Sequence, residues 1–255
     1  MFFGAETIKA MESDLELVRT SANELSVAFV RHEFGNDLAR EYAHHGFARR
    51  IITMARCVER VFELLPPTSD AVPTAQTRKD AEINLQAFVF NLFAATDNLA
   101  WVWVNEKPIK RENGSDLPKE WIGLRAKNTY VRGTFSKGFQ ATLQEFGQWF
   151  EHLENYRHAS AHRISLYIPP FGVSQNNQAE YEELQKLQAE ALGKGDVDAY
   201  LKHSEALAAL QRFQPVMKHS WSEGSPTVVF HAQMIADFKT IVALAEGIIG
   251  ELKKD

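Results

Sequence analysis

The 255-residue chain is long enough to bury a substantial core, in one large domain or two small ones. Its formal net charge of −5 at pH 7 argues against a protein that coats nucleic acid or membrane through bulk charge. The single cysteine, Cys57, excludes intrachain disulfides and a Cys-rich zinc site, and its apolar surroundings predict a packing role. The N-terminal residues lack the pattern of a secretory signal. We therefore expect a cytoplasmic protein with no membrane partner.

Hydrophobic periodicity predicts three long helices in the first half of the chain. The first covers about 6–30, and the second covers about 36–65 and ends at a double proline, which cannot continue a helix. The third covers about 74–106 and is apolar around most of its circumference, as in a central, buried helix. Polar residues interrupt its most apolar segment, which favours a core helix over a membrane span.

One polar line remains on the third predicted helix. Its members are asparagines spaced by seven residues, a spacing that keeps them roughly on one stripe: Asn84, Asn91, Asn98 and Asn105. The stripe is either a narrow solvent-facing strip or a polar seam that faces a cleft or a symmetry mate.

The segment 106–137 reads as an irregular connection with a short helix at about 119–127. It carries eight Lys or Arg against four Asp or Glu, interleaved with aromatic residues. Such a mixture suits a surface for single-stranded nucleic acid, although an exposed loop with anchoring aromatic residues has the same composition. The candidate RNA-binding residues are Trp121, Arg125, Lys127 and Arg132, together with Arg163 further along the chain.

A fourth helix is predicted at about 136–163, followed by an extended stretch. A polar helical hairpin is expected at about 177–192 and 196–212, and a last helix at about 233–253. Between them, β-branched residues around a Ser-Glu-Gly-Ser-Pro turn predict a short β-hairpin.

The expected fold class is therefore all-α. A helical bundle at 1–165 carries the candidate site, and a helical and partly extended elaboration at 166–255 packs on the same domain.

The fourth predicted helix has an apolar line that leads to an arginine. The spacing predicts that its core-facing residues are Phe139, Leu143, Phe146, Phe150 and Leu153. The next position on that line is Arg157, and a buried guanidinium requires a carboxylate, a helix end or an anion. Asp97, on the most buried helix, is the candidate partner. The pair would either orient Arg157 for chemistry or only hold two helices together.

A polar stripe borders Arg157 on the same helix and includes His158 and His162. A guanidinium can hold a phosphate through two parallel hydrogen bonds and stabilise the charge of the transition state. An imidazole can move a proton at the attacking or leaving oxygen. Together, these residues suit phosphodiester chemistry.

The motif Arg157-His158-Ala159-Ser160-Ala161-His162 resembles the R-x4-6-H motif of HEPN domains, in which a polar residue typically follows the arginine. The specific resemblance covers about six residues. It implies a HEPN-like helical bundle and a metal-independent endoribonuclease in which 2′-OH attack cleaves single-stranded RNA. Arg157 would bind the scissile phosphate, His162 would act as general acid or base, and His158 would assist. No cofactor is implied.

The partners that follow from the resemblance are RNA, a second copy of the chain in a homodimer, and an antitoxin or regulatory protein. Two alternatives stay open. One is an inert HEPN-like module that binds nucleotide, RNA or protein. The other is a metalloprotein in which His158 and His162 bind the metal with His44 or His45 as a third ligand.

Overall fold

The computed structural model describes residues 2–220 and 226–254. The fold is all-α, as predicted, and the helices account for most of the chain. In order they are α1 (Ala5–Arg31), α2 (Asp37–Glu41), α3 (Ala48–Leu64), α4 (Ala75–Glu106), α5 (Thr129–Gly133), α6 (Lys137–Glu145), α7 (Gly147–His162), α8 (Gln178–Lys194), α9 (Val197–Leu210) and α10 (Phe230–Leu252).

The first predicted helix is confirmed as α1, and α4 confirms the third. The second is interrupted, because a π-helical turn at Tyr42–Phe47 joins α2 to α3. Gly46 in that turn lies so close to α4 that an added Cβ would come within 2.9 Å of the Asn98 side chain. The absence of a Cβ at Gly46 therefore allows the π-helical turn to pack directly on α4.

The core is centred on α4, which packs against α3, α7 and α10. By length and composition α4 could cross a membrane, but 56% of its most apolar window is buried inside the fold. A mostly buried apolar helix is typical of the core of a soluble protein. Cys57 is buried in the same core, and burial raises the pKa of its thiol to about 11. The predicted packing role of Cys57 is confirmed.

The middle of the asparagine stripe on α4, at Asn91 and Asn98, meets α3. Arg50 of α3 donates from Nε to Asn98 Oδ1 at 3.0 Å and from Nη1 to Asn91 Oδ1 at 2.9 Å. Asn91 in turn donates to the carbonyl oxygen of Ala87 at 2.8 Å. The middle of the stripe is thus a polar seam between two helices of the same chain.

The fourth predicted helix is two helices. α6 ends at Glu145, and the backbone of Phe146 (φ −82°, ψ 8°) leaves helical geometry before α7 begins at Gly147. Upstream, only Lys119–Trp121 of the expected short helix forms, as a 3₁₀ turn, and α5 was not predicted.

After α7, the chain forms two small antiparallel sheets. β1 (Gly172–Val173) pairs with β2 (Gln211–Arg212), and these strands flank the predicted helical hairpin, observed as α8 and α9. β3 (Val216–Met217) pairs with β4 (Val228–Val229), which confirms the predicted β-hairpin. Most of its Ser-Glu-Gly-Ser-Pro turn lies outside the described residues. α10 then packs against α1, α3 and α4.

Candidate functional site

The inward-facing line of α7 does not pass through Arg157. Its last buried members are Tyr156, only 3% exposed, and Ala159, whereas Arg157 is half-buried at the edge of the core. Three-residue steps rotate the buried stripe backwards around a helix, because three residues fall short of a full turn. The prediction that Arg157 lies on the inward line is therefore wrong, and the guanidinium instead lies where the core meets solvent.

Arg157 lies next to His162, the histidine that ends the motif. Its Nη1 is 3.4 Å from Nε2 of His162, the exposed last residue of α7. A guanidinium can only donate hydrogen bonds, so in this arrangement the histidine nitrogen accepts with its lone pair. The sequence spacing thus brings together an arginine and an imidazole at the end of the helix.

Two guanidinium groups flank one aromatic ring of α4. The carbon Cζ of Arg157 is 5.3 Å from the ring centroid of Phe93, and Cζ of Arg125 is 4.7 Å from the same centroid. Both distances fall within the range of a cation–π interaction. Phe93 therefore holds Arg125 beside the motif, which places one of the predicted RNA-binding residues in the site itself.

Asp97 pairs with Arg125 and not with Arg157, contrary to the prediction. Its Oδ1 accepts from Arg125 Nη2 at 3.3 Å. Burial raises the pKa of the Asp97 carboxyl above its usual value, although the charges of Arg125 and Arg157 both oppose that rise. Arg157 thus influences Asp97 through its charge, and the side chain that Asp97 orients is Arg125.

Glu154 completes the cluster, and sequence reasoning did not identify it as a site residue. Its Oε1 accepts from Lys127 Nζ at 2.8 Å and lies 3.6 Å from Arg125 Nη1 and 3.7 Å from His158 Nε2. Partial burial opposes its ionisation, but the hydrogen bond from Lys127 and the charge of Arg125 lower its pKa overall. The spacing of four residues between Glu154 and His158 was the available sequence signal.

His158 and His162 lie side by side at the solvent boundary. Their ring centroids are 5.9 Å apart, and the side chain of His158 is 48% exposed. One imidazole faces the carboxylate of Glu154 and the other faces the guanidinium of Arg157. The two imidazoles thus have different neighbours, a carboxylate for His158 and a guanidinium for His162.

The chain that leaves the site is anchored to α4. Gln86 Nε2 donates to the carbonyl oxygen of Leu166 at 2.8 Å, and the backbone nitrogen of Ile168 donates to Glu82 Oε1 at 3.0 Å. The carboxylate of Glu82 also accepts from Lys79. These bonds attach the extended chain after the motif to the central helix.

The remaining predicted RNA-binding residues lie at different distances from the motif. Lys127 contacts Glu154, and Trp121 and Arg132 line hollows on the neighbouring surface. Arg163 is exposed immediately after α7. Of the five residues, the structure thus places Arg125 and Lys127 inside the charged cluster.

The inner face of α7 carries a different set of polar groups. Asp237 of α10 is buried and accepts from Trp149 Nε1 at 2.8 Å and from Gln233 Nε2 at 2.7 Å. Burial raises the pKa of Asp237 to about 6, against the effect of these two hydrogen bonds, and raises that of Tyr156 to about 12. No cation accompanies Asp237 in these contacts, so this group is separate from the cluster at the helix end.

Within the ranges 2–220 and 226–254, no three or more His, Cys, Asp or Glu side chains group in a way that could hold a metal ion. His44 and His45 therefore do not form a three-ligand site with His158 and His162 there.

Comparison with known proteins gives no match to a family model, to a curated protein or to a solved structure.

Proposed function

We propose that this protein is an endoribonuclease that cleaves single-stranded RNA without a metal ion at the Arg157–His162 pair. The observation that carries the proposal is the 3.4 Å approach of Arg157 Nη1 to His162 Nε2 at the exposed end of α7. It is supported by a second guanidinium, that of Arg125, which contacts the same Phe93 ring as Arg157. Two guanidinium groups beside an imidazole suit a phosphodiester and its transition state.

The proposed reaction needs only groups of the protein and the substrate. When RNA binds, Arg157 turns from His162 Nε2 to the phosphate, which frees that nitrogen to take the proton of the ribose 2′-OH. The 2′-oxygen then forms a bond to the adjacent phosphorus. The bond from phosphorus to the 5′-oxygen breaks, and that oxygen receives a proton from His158. The products are a 2′,3′-cyclic phosphate and a 5′-hydroxyl, so no water, metal or cofactor is consumed.

Arg157 holds the non-bridging oxygens in this scheme, and Arg125 adds charge at the same phosphate. Glu154 keeps His158 in place and balances the cations until RNA arrives. The chain is further proposed to act in the cytoplasm as a homodimer with paired motif helices. Sedimentation or light scattering of the purified protein measures that stoichiometry directly.

The test is cleavage of a pool of single-stranded RNA in EDTA by wild type and by Arg157→Ala and His162→Ala. We expect cleavage by wild type with 2′,3′-cyclic phosphate ends, and a loss of at least about 100-fold in each variant. Arg31→Ala at the end of α1 and His203→Ala on α9 are matched controls that keep full activity.

Other outcomes identify the competing functions. If wild type binds RNA without cleaving it, and Arg157→Ala weakens that binding, the protein is a binding module. The ion pairs of Arg125 with Asp97 and Glu154 would then explain the lack of cleavage, because they neutralise the second guanidinium. Activity that EDTA abolishes and a divalent cation restores indicates a metalloenzyme. Resistance of an RNA that carries 2′-O-methyl groups throughout is required by 2′-OH attack.

A further inference from the structure

A groove lies between α5, α6 and the beginning of α7, beside the motif but outside it. It has a volume of 570 Å³ and is lined by Thr129, Arg132, Lys137, Gln140 and Gln144, with Ala and Gly residues between them. None of the described lining residues is acidic. We call it the α5–α6 groove. Its lining includes two cations, two amide side chains and a hydroxyl, and the amide nitrogen of Gln140 donates within the protein to the carbonyl oxygen of Phe135 at 2.7 Å.

The two cations of the α5–α6 groove have no acidic partner. In the part of the chain that the structure describes, no carboxylate lies within ion-pairing distance of Arg132 or Lys137, whereas Arg19 and Arg56 both bind glutamates. Arg132 is half-buried, and burial lowers the pKa of its guanidinium. A half-buried cation without a protein anion is a suitable seat for an anion from outside.

The backbone of the groove is open to close approach. Gly133 and Gly147 line it, and a Cβ added at either would meet no atom within 4 Å. Neither has a positive φ. Packing and backbone conformation therefore do not require glycine at these positions, and the absence of side chains leaves room for a ligand against the main chain.

A second, aromatic hollow adjoins the groove. It has a volume of 230 Å³ and is lined by Trp121, Lys127, Asn128, Thr129 and Tyr130, so that Thr129 belongs to both. The ring centroid of Trp121 is 5.7 Å from that of Tyr130, and the guanidinium of Arg111 lies 4.9 Å from the Trp121 centroid. Trp121 is nevertheless 40% exposed. Partly exposed aromatic rings next to cations are the features that hold stacked bases of a single strand.

The aromatic hollow reaches the charged cluster through Lys127, and the α5–α6 groove lies along the same side of the chain. Ala126 lines the α5–α6 groove, and its neighbours Arg125 and Lys127 contact Glu154. Gly147 lines the groove at one end of α7, and Arg157 lies about 15 Å further along the same helix, at 1.5 Å per residue. A single strand of a few nucleotides could therefore occupy both places at once.

We propose that the α5–α6 groove and the aromatic hollow together bind single-stranded RNA, with phosphates at Arg132 and Lys137 and a base against Trp121. The role of this surface as the track that holds the strand next to the cleaved bond rests on the proposed function. The binding itself does not depend on catalysis. Gln144 adds a hydrogen-bonding group along the track, whereas the amide nitrogen of Gln140 already donates to the carbonyl oxygens of Gly133 and Phe135. Lys127 connects the track to the charged cluster.

The test is binding of a fluorescein-labelled 12-nucleotide RNA that carries 2′-O-methyl groups throughout, followed by anisotropy at several salt concentrations. We expect Arg132→Ala/Lys137→Ala to raise Kd at least about tenfold at low salt. Loss of two phosphate contacts should also lower the slope of log K against log salt by about 1.4. Arg31→Ala/Lys202→Ala removes two cations elsewhere and leaves Kd within about twofold of wild type.

The result that overturns the proposal is a Kd and a salt slope that the groove variant leaves unchanged, or no binding of RNA by wild type. Equal displacement of the RNA by a poly-Glu peptide of the same charge overturns the assignment to RNA. Binding that requires the groove, without cleavage of unmodified RNA, leaves the track in place and refutes the nuclease. Cleavage that the groove variant leaves intact, with Kd unchanged, refutes the track alone.

Discussion

The two faces of α7 use carboxylates in opposite ways. On the inner face, Asp237 is buried, bonded to the neutral donors Trp149 and Gln233, and its pKa is raised to about 6. On the outer face, Glu154 is partly exposed, surrounded by Arg125, Lys127 and His158, and its pKa is lowered. The inner carboxylate belongs to the packing of two helices. The outer one is the counter-ion of Arg125 and Lys127 at the surface.

The difference indicates where ligands can act on this helix. Exchanging the partners of Asp237 requires the core to open, whereas the partners of Glu154 are flexible side chains at the surface. Variants on the outer face should therefore change function with little change in stability. Variants on the inner face should do the reverse.

The largest expected effect is at Arg157. Arg157→Lys keeps the positive charge but loses the planar fork that binds two phosphate oxygens, so we expect RNA cleavage to fall about 100-fold. The free energy of unfolding should change by less than about 1 kcal/mol, since the side chain is half-buried and its partners are Phe93 and His162. Rates of cleavage and urea denaturation curves measure both. A variant that unfolds but cleaves normally when folded would contradict the comparison.

The next effect is on stability at Asp237. Its folded pKa of about 6 lies above the unfolded value, so its contribution to stability is present below about pH 4 and is lost as the pH rises through about 6. Asp237→Asn keeps an acceptor for Trp149 and Gln233 without a buried charge. The variant should be more stable than wild type by up to about 3 kcal/mol at pH 8 and nearly equal to it at pH 4.

Urea denaturation at the two pH values tests this prediction. Asp116→Asn at an exposed position should show no such dependence. If the variant and wild type differ in free energy of unfolding no more at pH 8 than at pH 4, ionisation of Asp237 does not destabilise the fold. RNA cleavage by Asp237→Asn should stay at the wild-type level.

A smaller effect is expected at Glu154. Glu154→Gln removes the anion that occupies the cation cluster, so the affinity for RNA should rise about fivefold at low salt, which corresponds to about 1 kcal/mol. Anisotropy with the 2′-O-methylated RNA measures the change. Glu190→Gln, which removes an exposed carboxylate on α8, is the matched control. Unchanged or weaker binding by Glu154→Gln would mean that the carboxylate does not compete with phosphate.

The smallest effect is the stability of the Lys127–Glu154 pair. Lys127 is 61% exposed, and an exposed ion pair contributes little because water and salt screen it. Lys127→Met should therefore change the free energy of unfolding by less than about 0.5 kcal/mol. Thermal unfolding at low and high salt measures it. A loss of more than about 2 kcal/mol would mean that Glu154 stabilises the fold as a buried carboxylate does, and would contradict the contrast drawn between Glu154 and Asp237.

The helices that the sequence predicted well are those with strong periodicity and clear ends. α1 and α4 agree with their predicted limits within one residue. α3 ends at Leu64, and the double proline begins directly after its C-cap, Leu65. The π-helical turn at Tyr42–Phe47 and the break at Phe146 left no such signal. Both preserve the local hydrophobic pattern and become visible only when the neighbouring helices are in place.

The site was only partly predictable. The positions of Arg157 and His162 follow from a spacing of five on one helix. The rotation of the inward line to Tyr156 depends on how α7 crosses α4, which periodicity along one helix does not encode. The pairing of Asp97 with Arg125 joins residues from a helix and an irregular segment. Such a contact depends on the path of a loop, and no local pattern specifies it.

The pairing of β1 with β2 holds the two ends of the helical hairpin together. The chain leaves the body of the protein at Gly172–Val173 and returns beside the same point at Gln211–Arg212. Between them, α8 and α9 pack chiefly on each other, with Ala191 and Leu207 as their buried residues. The hairpin can therefore change in length without rebuilding the bundle that carries Arg157, because few of its contacts reach that bundle.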